Sequence, residues 1–287
     1  MPWQRPAAVR LPADLPVRDG LRVDWHCHSR WSDGQGTPPE LIERAESMGV
    51  TLGISDHGMS DNPRLRTPDQ VASYLAELSR YPVRRGIELS IGEPLEMGNV
   101  AEQEQCRFDY AIASLHAVSL PEGTVYTSRY LNWRAGLYPS YRPSPKRYDR
   151  RGYFEAVLDG LELTASRWPV RILGHFCLLP ELATKHAGFR LDEDPNPDAE
   201  ATEWLDAIIQ LCLRRGIAVE LNSKSRAPHM SFIKRAVEVG ARFSCGSDAH
   251  QRHRAGDLSY GLKLAAQLGI PADRFLAVSD VLTASAT

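Results

Sequence analysis

The chain has 287 residues, which is long enough for one large α/β domain or two small ones. A hydrophobic fraction of 43% and a charged fraction of 24% are ordinary for a globular protein. No run approaches the ~18 apolar residues of a membrane span. The formal net charge of −2 argues against a protein whose whole surface attracts nucleic acid or an anionic membrane.

The N-terminal stretch is rich in proline and lacks the apolar core of a signal peptide. We expect residues 1–20 to form an extended arm and residues 21–287 to form a single domain, with an insertion at about 118–152.

The five cysteines are dispersed and form no CxxC pair, which indicates reduced thiols in a cytoplasmic protein. Cys27 and Cys245 lie beside candidate metal ligands but are expected to face the core. Cys106, Cys177 and Cys212 have the character of small apolar residues.

Short apolar segments rich in Val, Ile and Leu alternate with amphipathic helical segments, as in folds with buried parallel strands. Residues 37–40 and 67–70 each have the sequence of a capping box with proline, which marks a helix start. Repeated β–α units predict a parallel α/β fold, and seven of them favour a closed barrel over an open doubly wound sheet. The predicted strands are 21–28, 51–57, 84–91, 110–116, 171–176, 218–222 and 242–247.

The segment His26-Cys27-His28 indicates a metal site at the end of the first predicted strand. Side chains alternate along a strand, so His26 and His28 point the same way and Cys27 points the other way. Asp33 follows in the loop that leaves the strand. His and Asp suit divalent zinc, manganese or iron. A lone HxH pattern is weak, so the interpretation depends on the rest of the chain.

The same ligand types recur at or just after the ends of nearly all the predicted strands. The active site of an αβ barrel lies at the carboxyl ends of its strands, so this topology would gather them at one face. Taken alone, each histidine is more often a core or rim residue, and each aspartate a helix cap. Without a metal site, however, this ordinary explanation would have to hold independently at each candidate position. The nine candidate ligands are His26, His28, Asp33, His57, Glu88, His116, His175, Asp248 and His250.

Six short motifs are similar, in order, to those of the PHP (polymerase and histidinol phosphatase) family. They are HCHSRWSDG, SDHG, GIE, SLH, GH and GSDAH, and the resemblance covers roughly residues 21 to 270. It implies a distorted (β/α)7 TIM-like barrel that holds two to three divalent transition-metal ions (Zn, Mn or Fe). The implied ligand groups are His26, His28, Glu88 and Asp248; Glu88, His116 and His175; and Asp33, His57 and His250.

Within the family, the chain is most similar to the monofunctional histidinol-phosphatases, because its length is similar and no polymerase domain is attached. The resemblance implies a phosphomonoester hydrolase of histidine biosynthesis that acts through a metal-bound hydroxide, with Asp248 and His250 at the reacting centre. Three divalent ions and three carboxylates would leave a charge of roughly +3, which would attract a phosphate dianion, and metals lower the pKa of bound water to about 7.

Two alternatives stay open. One is a PHP phosphatase or exonuclease that acts on nucleotides or nucleic-acid ends, and the other is a noncatalytic metal-binding module. A degenerate module of the second kind would be expected to lack ligands, whereas this chain keeps all nine.

Substrate contacts are expected at the barrel mouth, where arginine can bind phosphate bidentately. Lys224 and Arg226 follow the sixth predicted strand, and the resemblance places an arginine soon after its Glu-Leu-Asn sequence; a solvated basic loop is the alternative. Basic and aromatic residues alternate between 118 and 152, which predicts either a lid with Arg129 at the phosphate or a long surface insertion. His253 is a candidate general acid or a plain surface histidine.

Overall fold

The computed structural model describes residues 19–58, 62, 64–91, 107–121, 123–127, 149–176 and 199–282. Most of the expected arm and most of the expected insertion lie outside these residues, so both stay predictions. Asp19–Arg22 form a short 3₁₀ helix, so the last two residues assigned to the arm are not extended.

Seven parallel strands close into a barrel, which confirms the predicted fold class. The strands follow chain order around the barrel, and the first closes the ring by pairing with the last. Two further strands, which cover residues 117–120 and 123–126, form a separate antiparallel hairpin. The strands among the described residues are β1 (Val23–Asp24), β2 (Thr51–His57), β3 (Arg84–Ser90), β4 (Tyr110–Ser114), β5 (Ala117–Leu120), β6 (Gly123–Tyr126), β7 (Val170–Gly174), β8 (Ala218–Asn222) and β9 (Phe243–Gly246).

The described helices pack outside the barrel strands. Two of them begin at the predicted capping boxes: Thr37 N–H donates to Glu40, and Thr67 N–H donates to Gln70. In the described parts of the chain, no helix combines the length and the apolar character needed to cross a membrane. The helices are α1 (Pro38–Glu46), α2 (Pro68–Leu78), α3 (Arg150–Arg167), α4 (Ala199–Arg215), α5 (Met230–Glu238), α6 (Ser259–Leu268) and α7 (Val278–Leu282).

The first strand is shorter than the predicted segment 21–28 at both ends. Residues 21 and 22 belong to the 3₁₀ helix, and past residue 24 the side chain of Asp24 takes part in backbone pairing. Its buried carboxylate accepts hydrogen bonds from the N–H groups of His26 at 3.2 Å, Ser247 at 2.9 Å and Gly256 at 2.9 Å. A regular ladder past Asp24 is replaced by these side-chain bonds.

The segment that follows β1 stays tied to its neighbours by single hydrogen bonds, such as His28 N–H to Ala249 O at 3.0 Å. His26 and His28 are both buried at the site, while Cys27 packs in the hydrophobic core. The alternation expected of a strand therefore holds here without a continuous ladder.

The amino-terminal end of the barrel interior is filled by apolar side chains. The rings of Trp25 and Tyr110 meet edge to face at 5.0 Å, and Tyr110 O–H donates to Trp25 O at 2.6 Å. Gly86 leaves space for this plug, because a Cβ there would lie 2.4 Å from the Tyr110 ring. The plug leaves the carboxyl end of the barrel as the place where polar side chains converge.

Candidate metal centre

All nine candidate ligands lie among the described residues, at the carboxyl end of the barrel. Five are buried, three are partly buried, and Asp33 is exposed at the rim. His57 ends β2 and pairs across the sheet with Glu88 of β3. Strands β1, β4, β7 and β9 deliver their ligands just past their last residues, as parallel strand direction requires, and β8 delivers none of the nine.

Glu88 lies at the centre of the cluster. Its Oε1 is 3.0 Å from His175 Nε2, 3.1 Å from His116 Nε2 and 3.3 Å from His26 Nε2. Its Oε2 is 2.7 Å from His57 Nδ1. One buried carboxylate thus contacts histidines from four different segments, which is the arrangement expected of a bridging ligand.

Two aspartates flank this centre on the side of His250. Asp248 Oδ1 lies 3.4 Å from His28 Nε2 and 3.3 Å from His250 Nδ1. Asp33 lies 3.1 Å from His250 Nε2 and 3.6 Å from His57 Nε2. His250 therefore joins the buried aspartate to the exposed one.

The described residues contain four groups in which all the ligand atoms lie within 4.8 Å of one another. These groups agree only in part with the ligand groups that the family resemblance implies. His28 lies together with Asp33, His57 and His250. In the group of Glu88 and His116, His57 takes the place of His175. The groups are His28, Asp33, His57 and His250; His26, His28 and Glu88; His26, His175 and Asp248; and His57, Glu88 and His116.

The donor chemistry fits metal ions. The Nε2 atoms of His26 and His28 face each other at 3.1 Å. Nδ1 of His175 is buried and has no hydrogen-bond partner in the described structure. Nitrogen and carboxylate oxygen donors packed this closely match the preferences of zinc, manganese or iron.

In His26 and His116, the ring nitrogen that faces away from the centre has its own partner. His26 Nδ1 lies 2.8 Å from Glu220 Oε1, and His116 Nδ1 lies 2.7 Å from Ser90 Oγ. Partners of this kind fix the tautomer and the ring orientation of metal-binding histidines. In both histidines, the Nε2 atom is left to face Glu88.

The histidines differ in charge state according to their surroundings. Burial lowers the pKa of His28 well below its usual range, and the neighbouring His250 and His57 add to this effect. Burial also lowers the pKa of His57, but the carboxylates of Glu88 and Asp33 outweigh it and raise that pKa to about 9. Burial opposes ionisation of Glu88, yet the surrounding histidines hold its pKa well below the ordinary value. The cluster therefore keeps its central carboxylate ionised.

The residues predicted to bind substrate or to act as a general acid differ in how close they lie to the candidate ligands. Lys224 Nζ lies 3.2 Å from Asp248 Oδ1 and 3.2 Å from His250 Nδ1, so the structure brings it into the site. Arg226 is exposed on the same loop. His253 is exposed in a 3₁₀ helix, and no hydrogen bond or ion pair joins its ring to the candidate ligands in the described structure. Arg129 lies outside the described residues.

Sequence reasoning missed the part played by Glu220. It lies on β8 with Asn222, two residues apart, and both side chains are buried. The sequence contains a signal for it. Residues at alternate positions of a strand lie on one face, so two polar residues so placed in an apolar strand indicate that this face contacts other polar groups.

The described cysteines lie where the sequence placed them. Cys27, Cys212 and Cys245 are buried free thiols, and Cys27 and Cys245 pack in the core. Burial raises the pKa of Cys212 to about 12 and raises those of the other two. These thiols are therefore inert small side chains, not metal ligands. Cys106 and Cys177 lie outside the described residues.

A closed barrel of seven parallel strands, with histidines and carboxylates clustered at their carboxyl ends, defines a barrel protein with a candidate centre for several metal ions. The family model of the PHP domain matches residues 24–224. The chain belongs to the PHP family.

Two relatives are similar to this chain over most of its length. The chain is 24% identical over 258 residues to a protein named probable histidinol-phosphatase from Clostridium acetobutylicum, covering 84% of this chain and 92% of that protein. It is 21% identical over 262 residues to the DNA polymerase/3'-5' exonuclease PolX of Bacillus subtilis. That match covers 85% of this chain but spans 37% of the larger protein.

A solved structure shares the fold. It is the crystal structure of a protein assigned as the histidinol phosphatase hisK of Listeria monocytogenes, with a TM-score of 0.57 and 16% sequence identity. The likeness covers 82% of this chain and 97% of that one.

Proposed function

We propose that this protein is a metal-dependent phosphomonoester hydrolase with histidinol phosphate as its leading substrate. The observation that carries the proposal is the convergence of six histidines and two aspartates around Glu88 at the carboxyl end of the barrel. The relative named probable histidinol-phosphatase supports the choice of substrate, because it matches this chain over nearly its whole length.

Two to three divalent ions would be held by the nine ligands, with Glu88 shared between two of them. When bound, such ions would supply positive charge for the phosphate and lower the pKa of a water molecule that attacks phosphorus. The candidate ions are zinc, manganese and iron, since imidazole and carboxylate groups accept all three.

The charges of the chain favour a phosphate ester. Lys224 adds a positive charge at the mouth, and the buried Glu220 adds a negative charge behind His26. These two side chains offset each other, so three metal ions and the three ligand carboxylates would still leave a residual charge of roughly +3. A phosphate dianion matches such a site.

The chain's own cations would hold the substrate. Lys224, partly buried beside Asp248 and His250, would contact a phosphate oxygen, and Arg226 lies on the same loop nearer the solvent. We assign no general acid to His253, because its ring lies away from the candidate ligands. The buried free thiols suit a reducing compartment, so we place the enzyme in the cytoplasm.

Purified protein, analysed for metals, should be assayed against histidinol phosphate, nucleoside monophosphates and a generic aryl phosphate. The proposal predicts that phosphate is released from histidinol phosphate with the highest kcat/KM of the three and that a chelator abolishes the release. Hydrolysis that withstands complete metal removal would contradict the mechanism, and a preference for another ester would contradict the substrate.

The second candidate is an exonuclease or nucleotide phosphatase of the same family. The similarity to the PolX protein favours it, although the chain spans about 37% of that protein. This candidate predicts that short single strands bind in a salt-dependent way and are shortened from one end. Degradation of oligonucleotides without turnover of histidinol phosphate would favour it over the first.

A further inference from the structure

Glu220 is a buried carboxylate outside the nine ligands that contacts the site at several points. Its Oε1 lies 2.8 Å from His26 Nδ1. Its Oε2 accepts hydrogen bonds from His175 N–H at 2.6 Å and from Asn222 Nδ2 at 3.2 Å. We propose, on the basis of the metal centre proposed above, that Glu220 is a positioning residue that aims His26 and His175 at the metal ions.

The contact with His26 sets the tautomer of that ring. When Nδ1 donates to Glu220, Nε2 keeps its lone pair, and Nε2 is the atom that faces His28 at 3.1 Å and Glu88 at 3.3 Å. A carboxylate behind a histidine also makes the ring more basic and a stronger metal ligand. Glu220 thus prepares His26 for metal binding from the side opposite the metal.

The contact with His175 supports an unusual backbone conformation. His175 has a φ of +20°, and left-handed conformations of non-glycine residues persist when their surroundings hold them in place. Its N–H is bound by Glu220, while its Nε2 lies 3.0 Å from Glu88. The same carboxylate therefore fixes one ligand through its ring and a second ligand through its main chain.

The neighbouring strand leaves room for this carboxylate. Gly246 of β9 is paired with Asn222 of β8, and a Cβ at Gly246 would lie 2.0 Å from Glu220 Oε1 and 2.8 Å from His26 Cβ. A glycine at this position allows the Glu220–His26 contact, which any side chain would break.

A third connection runs to Asp248. Asn222 donates from Nδ2 to both Glu220 Oε2 at 3.2 Å and Asp248 Oδ2 at 3.3 Å. His26, His175 and Asp248 are also one of the groups able to hold a metal ion. Glu220 is thus linked to every member of that group.

The test replaces Glu220 with glutamine in the full chain. Glutamine keeps the size of the side chain but offers one acceptor oxygen, so either His26 or His175 loses its partner. Outer partners of metal ligands typically contribute 10–100-fold to metal affinity. We expect Glu220→Gln to weaken Zn²⁺ binding at least tenfold, measured by competition with a chromophoric chelator, and to alter the visible absorption of the Co²⁺ form.

Asp109→Asn is the matched control. Asp109 precedes β4 at the opposite end of the barrel, where its carboxylate binds Arg85 at 2.7 Å. Its loss should lower the thermal midpoint of the metal-free protein and leave Zn²⁺ affinity within twofold of wild type. Comparing the two variants separates the positioning of ligands from general destabilisation.

The outcomes are distinguishable. A folded Glu220→Gln variant that binds Zn²⁺ less than tenfold more weakly than wild type overturns this inference alone. A wild-type protein that binds no Zn²⁺ overturns the proposed metal centre as well. If Glu220→Gln does not fold, Gly246→Ala takes its place under the same tenfold criterion.

Discussion

Lys224 and Asp248 form an ion pair at the mouth of the barrel, with Nζ and Oδ1 3.2 Å apart. The lysine side chain is 22% exposed and the aspartate side chain is 5% exposed, so the cation lies between the buried ligands and the solvent. A phosphate that enters from the solvent would meet Lys224 as it reaches the candidate metal centre.

Lys224→Met should therefore weaken the use of substrate. Loss of a hydrogen bond to a charged group costs about 1.5–3 kcal/mol, which corresponds to roughly ten- to 150-fold in kcat/KM for histidinol phosphate. Steady-state kinetics test this, with Lys234→Met, an exposed lysine of α5, as the control. Unchanged kinetics in Lys224→Met, with a loss in Arg226→Ala instead, would place the phosphate contact on Arg226.

Asp248→Ala should abolish phosphate release while the barrel stays folded. Its carboxylate lies within 3.4 Å of His28 and within 3.3 Å of His250, so its loss removes an acceptor oxygen that both rings contact and one of the candidate metal ligands. Phosphate release, circular dichroism and metal content are measured together, because metal binding can itself stabilise a protein.

The control for this variant is Asp159→Ala, which removes an exposed carboxylate from α3. It should keep full activity and full metal content. Near-normal turnover by a folded, metal-poor Asp248→Ala protein would exclude the metal centre as the source of the nucleophile.

Metal binding should release protons at pH 7. The carboxylates around His57 outweigh its burial and raise its pKa to about 9, and those around His26 likewise raise its pKa above the usual range. Both imidazoles are then protonated in the metal-free protein, and a metal ion must displace those protons. Zn²⁺ affinity should rise with pH up to about pH 9, and calorimetry in buffers of different ionisation enthalpy should detect the released protons.

The same shift predicts the pH dependence of the metal-free fold. A histidine whose pKa is raised on folding stabilises the protein fully below its unfolded value of about 6.5. That contribution is lost as the pH rises through about 9, the folded value for His57. Thermal midpoints of metal-free protein should fall across this interval; midpoints that rise would contradict the assigned charge state.

The described thiols should resist modification in the native state. Cys27, Cys212 and Cys245 are fully buried, and burial raises the pKa of each. A thiol reagent such as DTNB should modify at most the other two cysteines in native protein and all five after denaturation. If peptide mapping shows that Cys212 reacts rapidly in native protein, the close packing of α4 described above would be contradicted.

The barrel could be predicted from the sequence because its strands are short segments rich in Val, Ile and Leu. The first strand is shorter than its hydrophobic pattern predicts. Residues 21 and 22 lie in a 3₁₀ helix, and Asp24 replaces ladder hydrogen bonds with side-chain ones; a hydrophobic pattern reports neither feature. Strand direction alone then places residues such as His57 and His116 at one end of the barrel.

The grouping of ligands could not be predicted to the same degree. Which donor atoms come together depends on side-chain directions across the barrel, so His28 contacts both the Glu88 side and the His250 side of the cluster. The part played by Glu220 was hidden for a related reason. Alternation shows that it shares a face with Asn222, but only closure of the barrel brings that face against His26.

Elemental analysis of protein purified without added chelator measures whether Glu88 and the eight candidate ligands around it hold several metal ions. We expect two to three transition-metal ions per chain, lost together with activity on chelation and restored together with it. At most one ion per chain, in protein that nevertheless hydrolyses phosphate esters, would contradict it.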